Sequence, residues 1–481
     1  MREHQHLYIG GNWVRPAGTA TVDVVSPHTE EVIGRAPDGS PRDIDRAVTA
    51  ARTAFDTGPW PRMDAGARAA VVRRITALYA DRVTEIAALI AEEMGCPVSP
   101  PAQSAIAAET WRYYAELGAT VRDEEHRAGM LGAVTVRREP VGVVAAIVPW
   151  NGPQIITAGK LAAALVAGCT VVLKPAPETA LDAYLLAEIL QAAGVPPGVV
   201  NIVAAGARTG EHLVQHPGVD MVAFTGSTAV GRRIGAICGQ RLRPHTLELG
   251  GKSAAIILDD ADLTTTMARL KVAALVNNGQ TCVAQTRILA SRSRYDEVVA
   301  ALADTVAAMR IGDPADPTTE LGPLATSGQR DRVNRYVEQG RQEGAKPVTG
   351  AATPPYPRGW YVTPTVFANV DNRMRIAREE IFGPVLCVIP YETEDDAIRI
   401  ADDSDYGLAG SVWTADPARG MDIARRVRAG TYGVNIYAVE VSAPFGGYKD
   451  SGVGRELGPE GLAAYQQYKS IVHGPTEETT P

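Results

Sequence analysis

The sequence predicts an α/β protein with two doubly wound α/β domains and a small β element. Residues 141–148 form a continuous apolar run, which is typical of a strand buried on both faces. A second set of alternating strand and helix patterns begins at residue 254. Residues 134–139 instead alternate apolar and polar side chains, which predicts an edge strand with one solvated or partner-facing side, a candidate for oligomerisation.

The chain begins with short strands and continues with helices. Residues 7–34 contain short alternating segments, which predict a small antiparallel start. Ala-rich amphipathic patterns predict helices at 41–55 and 65–94, with Gly95 as the stop signal of the second. A third helix is predicted at 102–117.

Two α/β series follow, and the order of strands and helices predicts mostly parallel sheets. The first series contains strands at 141–148, 170–173, 199–203 and 220–224 and helices at 154–167, 178–193 and 228–238. After a bridge at 245–252, the second contains strands at 254–258, 286–290, 384–390 and 408–413 and helices at 262–276, 295–309, 327–343 and 394–401. The two domains are predicted to meet near Glu248.

Composition restricts the class of partner and the compartment. The 481 residues are 45% hydrophobic and 21% charged, which is ordinary for a globular protein large enough for two or three domains. A formal net charge of -8 argues against nucleic acid or an anionic membrane as the main partner. The 5 cysteines are scattered without C-x-x-C spacing, which favours a reducing cytoplasm.

No targeting, membrane or metal signal stands out. The N-terminus lacks an apolar h-region, and no apolar run is long enough to span a membrane, so we expect a cytoplasmic protein. His4 and His6 have no third ligand nearby in the sequence, and we expect no metal site there.

Cys282 is the strongest candidate for a reactive side chain. It follows a predicted helix that Asn278 and Gly279 end, because these residues tolerate the left-handed conformation. A buried strand follows, so the cysteine lies on a short connection that is anchored by a helix at one end and a strand at the other. A small core hydrophobe is the alternative interpretation, but the polar approach Gly279-Gln280-Thr281 disfavours it.

Two loops at strand ends are candidate dinucleotide sites. Residues 225–231 place small residues and free backbone N–H groups at a helix N-terminus, which is where a pyrophosphate binds well. The alternative is a simple tight turn. In the second loop, Lys174 follows a buried strand and offers a cation to an adenosine ribose or its phosphate, although a lone lysine at a strand end is usually only solvated.

Seven short motifs together resemble the aldehyde dehydrogenase superfamily over almost the whole chain. Each is weak alone, but their order and spacing on predicted strand ends and loops make coincidence improbable. They are Pro149-Trp150-Asn151, Lys174-Pro175, Phe224-Thr225-Gly226-Ser227, Glu248-Leu249-Gly250-Gly251-Lys252, Gly279-Gln280-Thr281-Cys282, Glu380-Ile381-Phe382-Gly383-Pro384 and Pro444-Phe445-Gly446-Gly447.

The resemblance implies a role for each catalytic candidate. Cys282 would attack the aldehyde, and the Asn151 amide with the Cys282 backbone N–H would stabilise the oxyanion. Glu248 would activate the water that cleaves the thioester, with a pKa raised toward neutrality. Glu456 resembles a second carboxylate that takes part in proton relay, although Arg455-Glu456 is also interpretable as a structural ion pair.

The resemblance also implies NAD as the cofactor, with NADP tolerated. Glu380 would hold the nicotinamide ribose and Phe382 would support the ring. The full set of implied cofactor residues is Trp150, Lys174, Pro177, Glu178, Gly206, Phe224, Thr225, Gly226, Ser227, Leu249, Gly250, Glu380 and Phe382.

Three departures from the family pattern qualify these expectations. Pro177 stands where the family often has an acidic residue, with Glu178 one place later, so discrimination against NADP is expected to be weak. Gly152 and Gly159 replace aromatic residues that commonly wall the substrate tunnel, which predicts a wider tunnel. Cys282 has no adjacent cysteine with which to form a disulfide.

The resemblance assigns residues 1–117 and 139–247 to a dinucleotide-binding domain and 248–450 to a catalytic domain. Residues 118–138 and 451–481 would form the oligomerisation element and C-terminal tail of a homodimer or homotetramer. The alternatives are a CoA-acylating semialdehyde dehydrogenase, which would not need Glu248 as a base, a non-catalytic superfamily member and a thiol hydrolase without redox chemistry.

Overall fold

A computed structural model of the chain describes residues 2–100, 102–130, 132–352 and 356–474. Residues 475–481 of the predicted C-terminal tail lie outside this described part. The helices are α1 (Pro41–Asp56), α2 (Ala65–Ala80), α3 (Val83–Met94), α4 (Ala102–Thr120), α5 (Pro153–Ala167), α6 (Ala180–Ala192), α7 (Ala207–Gln215), α8 (Thr228–Gln240), α9 (Leu263–Leu275), α10 (Tyr295–Ala307), α11 (Ser327–Gln342), α12 (Arg375–Arg378), α13 (Glu394–Asp402), α14 (Pro417–Arg426) and α15 (Gly458–Ala463).

The strands are short, as is usual in α/β proteins. They are β1 (Arg2–Glu3), β2 (Leu7–Ile9), β3 (Asn12–Val14), β4 (Thr21–Val25), β5 (Val32–Pro37), β6 (Glu124–Ala128), β7 (Ala133–Pro140), β8 (Val143–Ile147), β9 (Thr170–Lys174), β10 (Val200–Ile202), β11 (Met221–Thr225), β12 (His245–Glu248), β13 (Ala254–Ile257), β14 (Arg287–Ser291), β15 (Lys346–Thr349), β16 (Thr365–Ala368), β17 (Val385–Tyr391), β18 (Tyr406–Gly407), β19 (Ala409–Trp413), β20 (Thr431–Val434), β21 (Tyr448–Lys449), β22 (Gly452–Val453) and β23 (Gln466–Val472).

Two large sheets confirm the predicted fold class. The first has the strand order β22-β12-β11-β8-β9-β10-β2-β3, with a parallel centre from β12 to β10. The second has the order β15-β16-β17-β14-β13-β19-β20, and all pairings but that of β15 are parallel. Because crossover helices cover both faces, the central strands are buried throughout, as the apolar runs predicted.

The small β element is a three-stranded antiparallel sheet with the order β23-β7-β6. The interpretation of residues 134–139 as an edge strand is wrong, because β7 pairs on one side with β6 and on the other with β23. The free edges belong to β6 and β23. The alternating pattern predicts the strand correctly, but pattern alone does not show whether a strand has one neighbour or two.

Two other expectations also need correction. The single helix predicted at 65–94 is two helices, because Arg82 adopts a non-helical conformation (φ -113, ψ 10) and its guanidinium binds Glu85 and Glu188 instead. The predicted antiparallel start is divided between two sheets, since β2 and β3 extend the first large sheet while β5 pairs with β1 and β4 in a separate three-stranded sheet. Gly95 does end α3, in the left-handed conformation.

Several elements were not predicted: β12 within the proposed bridge, α7, β15, β16, α14, β20 and α15. Among the described residues, no helix has the length and hydropathy needed to cross a membrane.

Candidate active site

The segment that carries Cys282 is fixed by an unusual reversal of the chain after α9. Asn277, Asn278 and Gly279 all have positive φ values (55, 60 and 73), which confirms the predicted left-handed pair and adds a third residue. The Asn278 amide donates to the carbonyls of Gly95 and Pro323, each at 2.8 Å. These bonds stabilise a conformation that costs free energy locally, as is common at functional sites.

The same segment closely approaches Gly251, which follows β12. A Cβ atom on Gly251 would lie 2.4 Å from the Cys282 carbonyl oxygen, so only glycine permits this approach. Gln280 accepts a hydrogen bond from the Ala325 backbone N–H at 3.0 Å, and Thr281 donates to the Val276 carbonyl at 3.3 Å. The nucleophile candidate therefore sits on a loop that is rigid on both sides.

The Cys282 side chain is partly exposed and lines a cavity, which argues against a purely packing role. The pKa of its thiol is raised to about 12, first by burial and then by the charges of Glu380 and Glu248, while the N–H groups of Val283 and Cys282 oppose the shift. At neutral pH the thiol is therefore protonated in this environment.

Asn151 is tied to the cysteine loop. Its side-chain amide donates to the Gln280 carbonyl at 3.0 Å, which leaves its second N–H for another acceptor. Its own main-chain carbonyl accepts from Asn277 at 2.8 Å and from Gln103 at 3.1 Å. The structure thus brings Asn151 and Cys282 together, as predicted.

Glu248 ends β12 and its carboxyl group is buried. Neither oxygen has a hydrogen-bond partner among the described residues. Burial raises the pKa of Glu248 well above its usual value, Glu456 raises it further, and Lys160 and Arg455 act in the opposite direction. A Cβ atom on Gly446 would lie 2.6 Å from Glu248 Oε1, so this glycine leaves room for the carboxyl group.

Glu456 is also buried, and it forms an ion pair with Lys160 of α5. The interpretation of Arg455-Glu456 as an ion pair is wrong, because Arg455 donates to the carbonyls of Gly447 and Gly454. The side chains of sequence neighbours point in opposite directions on an extended segment, so the ion-pair partner of Glu456 lies on a distant helix instead. Lys160 was not singled out from the sequence, and its position in an Ala-rich helix gave no signal.

A cavity of about 270 Å³ joins ten of the predicted residues. They are Trp150, Asn151, Thr225, Gly226, Ser227, Leu249, Gly250, Cys282, Glu380 and Phe382. Three further lining residues are Pro149, Gln329 and Arg332. Gln329 donates to the Phe382 carbonyl at 2.6 Å and Arg332 to the Glu380 carbonyl at 2.6 Å, so both hold the predicted segment in place.

Glu380 and Phe382 have distinct environments within this cavity. Burial raises the pKa of Glu380 to about 7, while the Gly251 N–H, which donates to Oε1 at 3.0 Å, opposes the shift. Phe382 has a φ of 65, a conformation that costs on the order of 1–3 kcal/mol for such a residue. Its ring packs edge-on against Trp150, with 5.5 Å between ring centroids.

The remaining predicted residues do not line this cavity. Phe224 lies beneath Gly226, where an added Cβ would be 2.4 Å from the ring. Lys174, Pro177, Glu178 and Gly206 are grouped near the ends of β9 and β10. Glu248 and Glu456 are buried and are not among the residues that line the cavity.

Lys174 is not the solvated lysine that a strand end usually carries. Its Nζ donates to the carbonyls of Ala205 at 2.8 Å and Pro175 at 3.1 Å. Burial lowers the pKa of Lys174 to about 8, against the opposing charges of Glu178 and Asp38. The Gly206 N–H donates to Asp38 at 3.3 Å.

The donor set fits a dinucleotide. Ser227 caps the N-terminus of α8, whose free N–H groups suit a pyrophosphate. Gly226 and Gly250 have no room for a Cβ, since these atoms would lie 2.4 Å from Phe224 and 2.6 Å from Glu380 Oε2. A half-buried carboxylate that lines the cavity, as Glu380 does, suits ribose hydroxyls.

Comparison with known proteins decides the family. A sequence model described as "Aldehyde dehydrogenase family" matches residues 13–471. The chain belongs to the aldehyde dehydrogenase family. It is 50% identical to a geranial dehydrogenase of Castellaniella defragrans over 472 residues, which are 98% of each chain.

Solved structures of other aldehyde dehydrogenases have the same fold. A Mycobacterium tuberculosis aldehyde dehydrogenase complexed with NAD+ matches with a TM-score of 0.96 and 48% identity over 100% of both chains. A variant of aldehyde dehydrogenase C from Pseudomonas syringae, in complex with NAD+ and octanal, matches with a TM-score of 0.94 and 42% identity over 97% of this chain and 96% of the other.

Within the described residues, no group of three or more His, Cys, Asp or Glu side chains is placed to hold a metal ion.

Proposed function

We propose that this aldehyde dehydrogenase oxidises an aldehyde to a carboxylic acid with NAD as the hydride acceptor and Cys282 as the nucleophile. One observation carries the proposal. The partly exposed Cys282 thiol lines a cavity with Asn151, whose amide is bound to the same loop, and Glu380 lies in that cavity. This arrangement is the one that covalent catalysis on a carbonyl requires.

In the first step the Cys282 thiol releases its proton to solvent, and the thiolate sulfur joins the carbonyl carbon, which places negative charge on the aldehyde oxygen. The second N–H of the Asn151 amide and the backbone N–H of Cys282 are the donors proposed for that oxyanion. Asn suits this role because it donates without titrating. Its bond to Gln280 fixes the amide before the substrate arrives, so no reorganisation is needed in the transition state.

Bound NAD would accept the hydride that leaves the thiohemiacetal carbon, after which a thioester remains on Cys282. Glu248 is proposed to take a proton from the water that cleaves this thioester, releasing the acid and the free thiol. Its buried carboxyl has no competing hydrogen-bond partner among the described residues, and its raised pKa makes it a stronger base than an exposed glutamate. This role distinguishes the reaction from CoA acylation, which needs no water.

The cofactor residues are proposed to act in two groups. The cavity group, with Glu380 for the nicotinamide ribose and Phe382 and Trp150 for the ring, lies beside the thiol. The N-terminus of α8 suits the pyrophosphate. The group around Lys174, with Pro177, Glu178 and Gly206, is proposed for the adenosine ribose, where Pro177 brings no repulsion of a 2′-phosphate. NADP is therefore expected to be tolerated.

The domain assignment is part of this proposal. Residues 1–117 and 139–247 contribute nearly all of the first large sheet, and residues 248–450 the second. We place cofactor binding on the former and the nucleophile on the latter. The three-stranded sheet is proposed to join subunits into a homodimer or homotetramer, and the protein is proposed to work in the cytoplasm.

The test is the nicotinamide absorbance of wild type and Cys282→Ala with an aldehyde and NAD. We expect the variant to lose turnover while its affinity for NAD, measured by fluorescence quenching, changes by less than about twofold, because the thiol forms the covalent bond and contributes little to cofactor binding. The matched control is Cys96→Ala, another partly exposed cysteine, which should keep full activity. Appreciable turnover by Cys282→Ala would exclude the covalent mechanism.

A further inference from the structure

Asn151, the proposed donor to the oxyanion, lies in the short loop between the end of β8 and the start of α5. Neither sheet pairing nor helical bonds hold a residue at such a position, so its orientation depends on other contacts. The direction of its side-chain amide matters, because a donor stabilises an oxyanion only when the N–H points at the developing charge.

Two side-chain amides hold the main-chain carbonyl of Asn151. Asn277 donates to this carbonyl at 2.8 Å and Gln103 at 3.1 Å, which occupies both lone pairs of the oxygen. The side-chain amide of Asn151 donates in turn to the Gln280 carbonyl at 3.0 Å. Because the carbonyl and the side chain of Asn151 share one Cα atom, these three bonds fix the residue at both ends and set the direction of its second N–H.

Gln103 is the member of this set that comes from another part of the fold. Asn277 and Gln280 belong to the segment that carries Cys282, whereas Gln103 lies in the first turn of α4, a helix that packs against α2 and α5. The Gln103 side chain is buried, so water does not compete for the carbonyl that it binds. Gln103 therefore ties the loop of Asn151 to the body of the first large core.

The C-terminal end of α3 supports both proposed oxyanion donors. The Gln103 amide also donates to Met94 Sδ at 3.5 Å. The next residue, Gly95, accepts through its carbonyl from the Asn278 amide at 2.8 Å, and Asn278 shapes the reversal that leads to Cys282. The two donors thus rest on one helix end, which keeps the distance between them constant.

The unused oxygen of Gln103 shows which part of this side chain matters. Its Oε1 has no hydrogen-bond partner among the described residues. A buried amide oxygen without a partner costs free energy, and an apolar side chain of the same length would avoid that cost. The geometry therefore favours a role for the N–H donor over a role in stability.

We propose that Gln103 is a positioning residue that acts through Asn151: its amide holds the Asn151 carbonyl, so that the Asn151 side chain points at the aldehyde oxygen. The inference rests on the proposed aldehyde oxidation and adds to it a residue outside the seven motifs. Gln103 itself does not line the cavity, so its effect on the reaction passes through Asn151.

The experiment measures the rate constant of the first turnover by stopped-flow absorbance, with hexanal and NAD at saturating concentrations. Gln103→Met keeps the length of the side chain and removes the donor, and we expect the rate constant to fall about tenfold. Asn151→Ala should lower it by about a hundredfold or more, because the oxyanion donor itself is lost. Gln103→Met in the Asn151→Ala background should have no further effect, since no amide remains to be positioned.

Thr110→Val is the matched control in the same helix. Its hydroxyl is buried and donates to the Ile106 carbonyl within α4 at 2.8 Å, so this variant also loses one buried donor, but at a distance from Asn151. It should keep the wild-type rate constant. If Gln103→Met does not fold, Gln103→Leu, which also lacks the donor, takes its place in the same comparison.

Alkylation of Cys282 by iodoacetamide separates positioning from general damage to the site. This reaction develops no charge on a carbonyl oxygen, so its rate in Gln103→Met should stay within about twofold of wild type while aldehyde oxidation slows. The melting temperature should not fall, because methionine avoids the unpartnered amide oxygen.

Three results would overturn the role of Gln103 and leave aldehyde oxidation standing. They are a wild-type rate constant in Gln103→Met, an equal fall in the rate of alkylation, and a full additional fall in the Asn151→Ala background. If Asn151→Ala keeps the wild-type rate constant, the proposed oxyanion donor is wrong. If the wild-type protein reduces NAD with neither hexanal nor benzaldehyde, the proposed function itself fails.

Discussion

At the scale of single residues, the main feature is a set of carboxyl groups held away from water around one thiol. Glu248 is buried and Glu380 is half-buried, and the charges of both raise the pKa of the Cys282 thiol. Their own pKa values are raised by burial. Titratable groups with shifted pKa values that lie around one nucleophile are typical of active sites.

Glu248→Gln should separate acylation from hydrolysis. We expect a burst of reduced nicotinamide of up to one equivalent per active site with slow steady-state turnover, because glutamine fills the same volume and cannot accept a proton from water. Stopped-flow absorbance measures both phases. Glu338→Gln, an exposed glutamate of α11, is the control and should behave as wild type. If the burst disappears together with turnover, Glu248 acts before hydride transfer.

Glu380→Gln should lower the pKa of the Cys282 thiol, because the variant removes a negative charge that opposes the thiolate. The rate of alkylation by iodoacetamide, followed against pH without cofactor, should therefore rise at lower pH than in wild type. The adjacent Glu379 binds Arg375 and Tyr336 instead, so Glu379→Gln is a matched control with no expected shift. An unchanged profile in Glu380→Gln would show that its charge does not reach the sulfur.

At the scale of elements, the ends of β9 and β10 carry a titratable cation. The pKa of Lys174 is lowered to about 8, so its ammonium is charged below that pH and neutral above it. If Lys174 attracts a 2′-phosphate, kcat/KM for NADP relative to NAD should fall by about tenfold as pH rises through this value. Lys174→Met should give a low ratio at every pH.

Pro177→Glu tests the same loop from the other direction. A carboxylate near the ribose repels a 2′-phosphate, so the substitution should lower the NADP to NAD ratio at all pH values. An unaltered ratio would show that position 177 faces away from the ribose.

The sequence predicted those elements whose pattern is local. The buried strands β8, β9 and β13 are continuous apolar runs, and Gly95 and Gly168 mark helix ends through positive φ. Motif residues lie together in the cavity, and glycine is required at motif positions such as Gly226 and Gly250 because neighbouring side chains approach their backbone too closely for a Cβ atom. Elements without a strong pattern, such as β15 or α7, were missed.

The features that could not be predicted from the sequence depend on contacts between residues that are far apart in the chain. The break between α2 and α3 arises where Arg82 binds Glu188 of α6, and no local signal marks it. Likewise Lys160 meets Glu456, and Gln329 and Arg332 of α11 support residues 380–382, only after folding. Such pairs are visible in a sequence only when the topology is already known.

At the scale of the whole molecule, the C-terminal segment connects all parts of the fold. After the second large sheet, β22 pairs with β12 of the first, and α15 follows it. β23 then completes the three-stranded sheet with β7. The turn at Gly446 that leaves room for the Glu248 carboxyl belongs to the same returning segment.

The free edge of that sheet leads to a prediction about assembly. β23 pairs with β7 on one side only, and its Tyr468 and Val472 are 61% and 62% exposed. An exposed edge strand with apolar side chains is readily covered by another subunit. We therefore expect light scattering to give two or four times the chain mass of 50.9 kDa.

Val472→Asp should shift the protein toward monomers, since the charge would be buried without a partner. Met421→Asp, on the exposed face of α14, should leave the mass unchanged. A wild-type protein that is a stable, active monomer would contradict this assignment of the sheet.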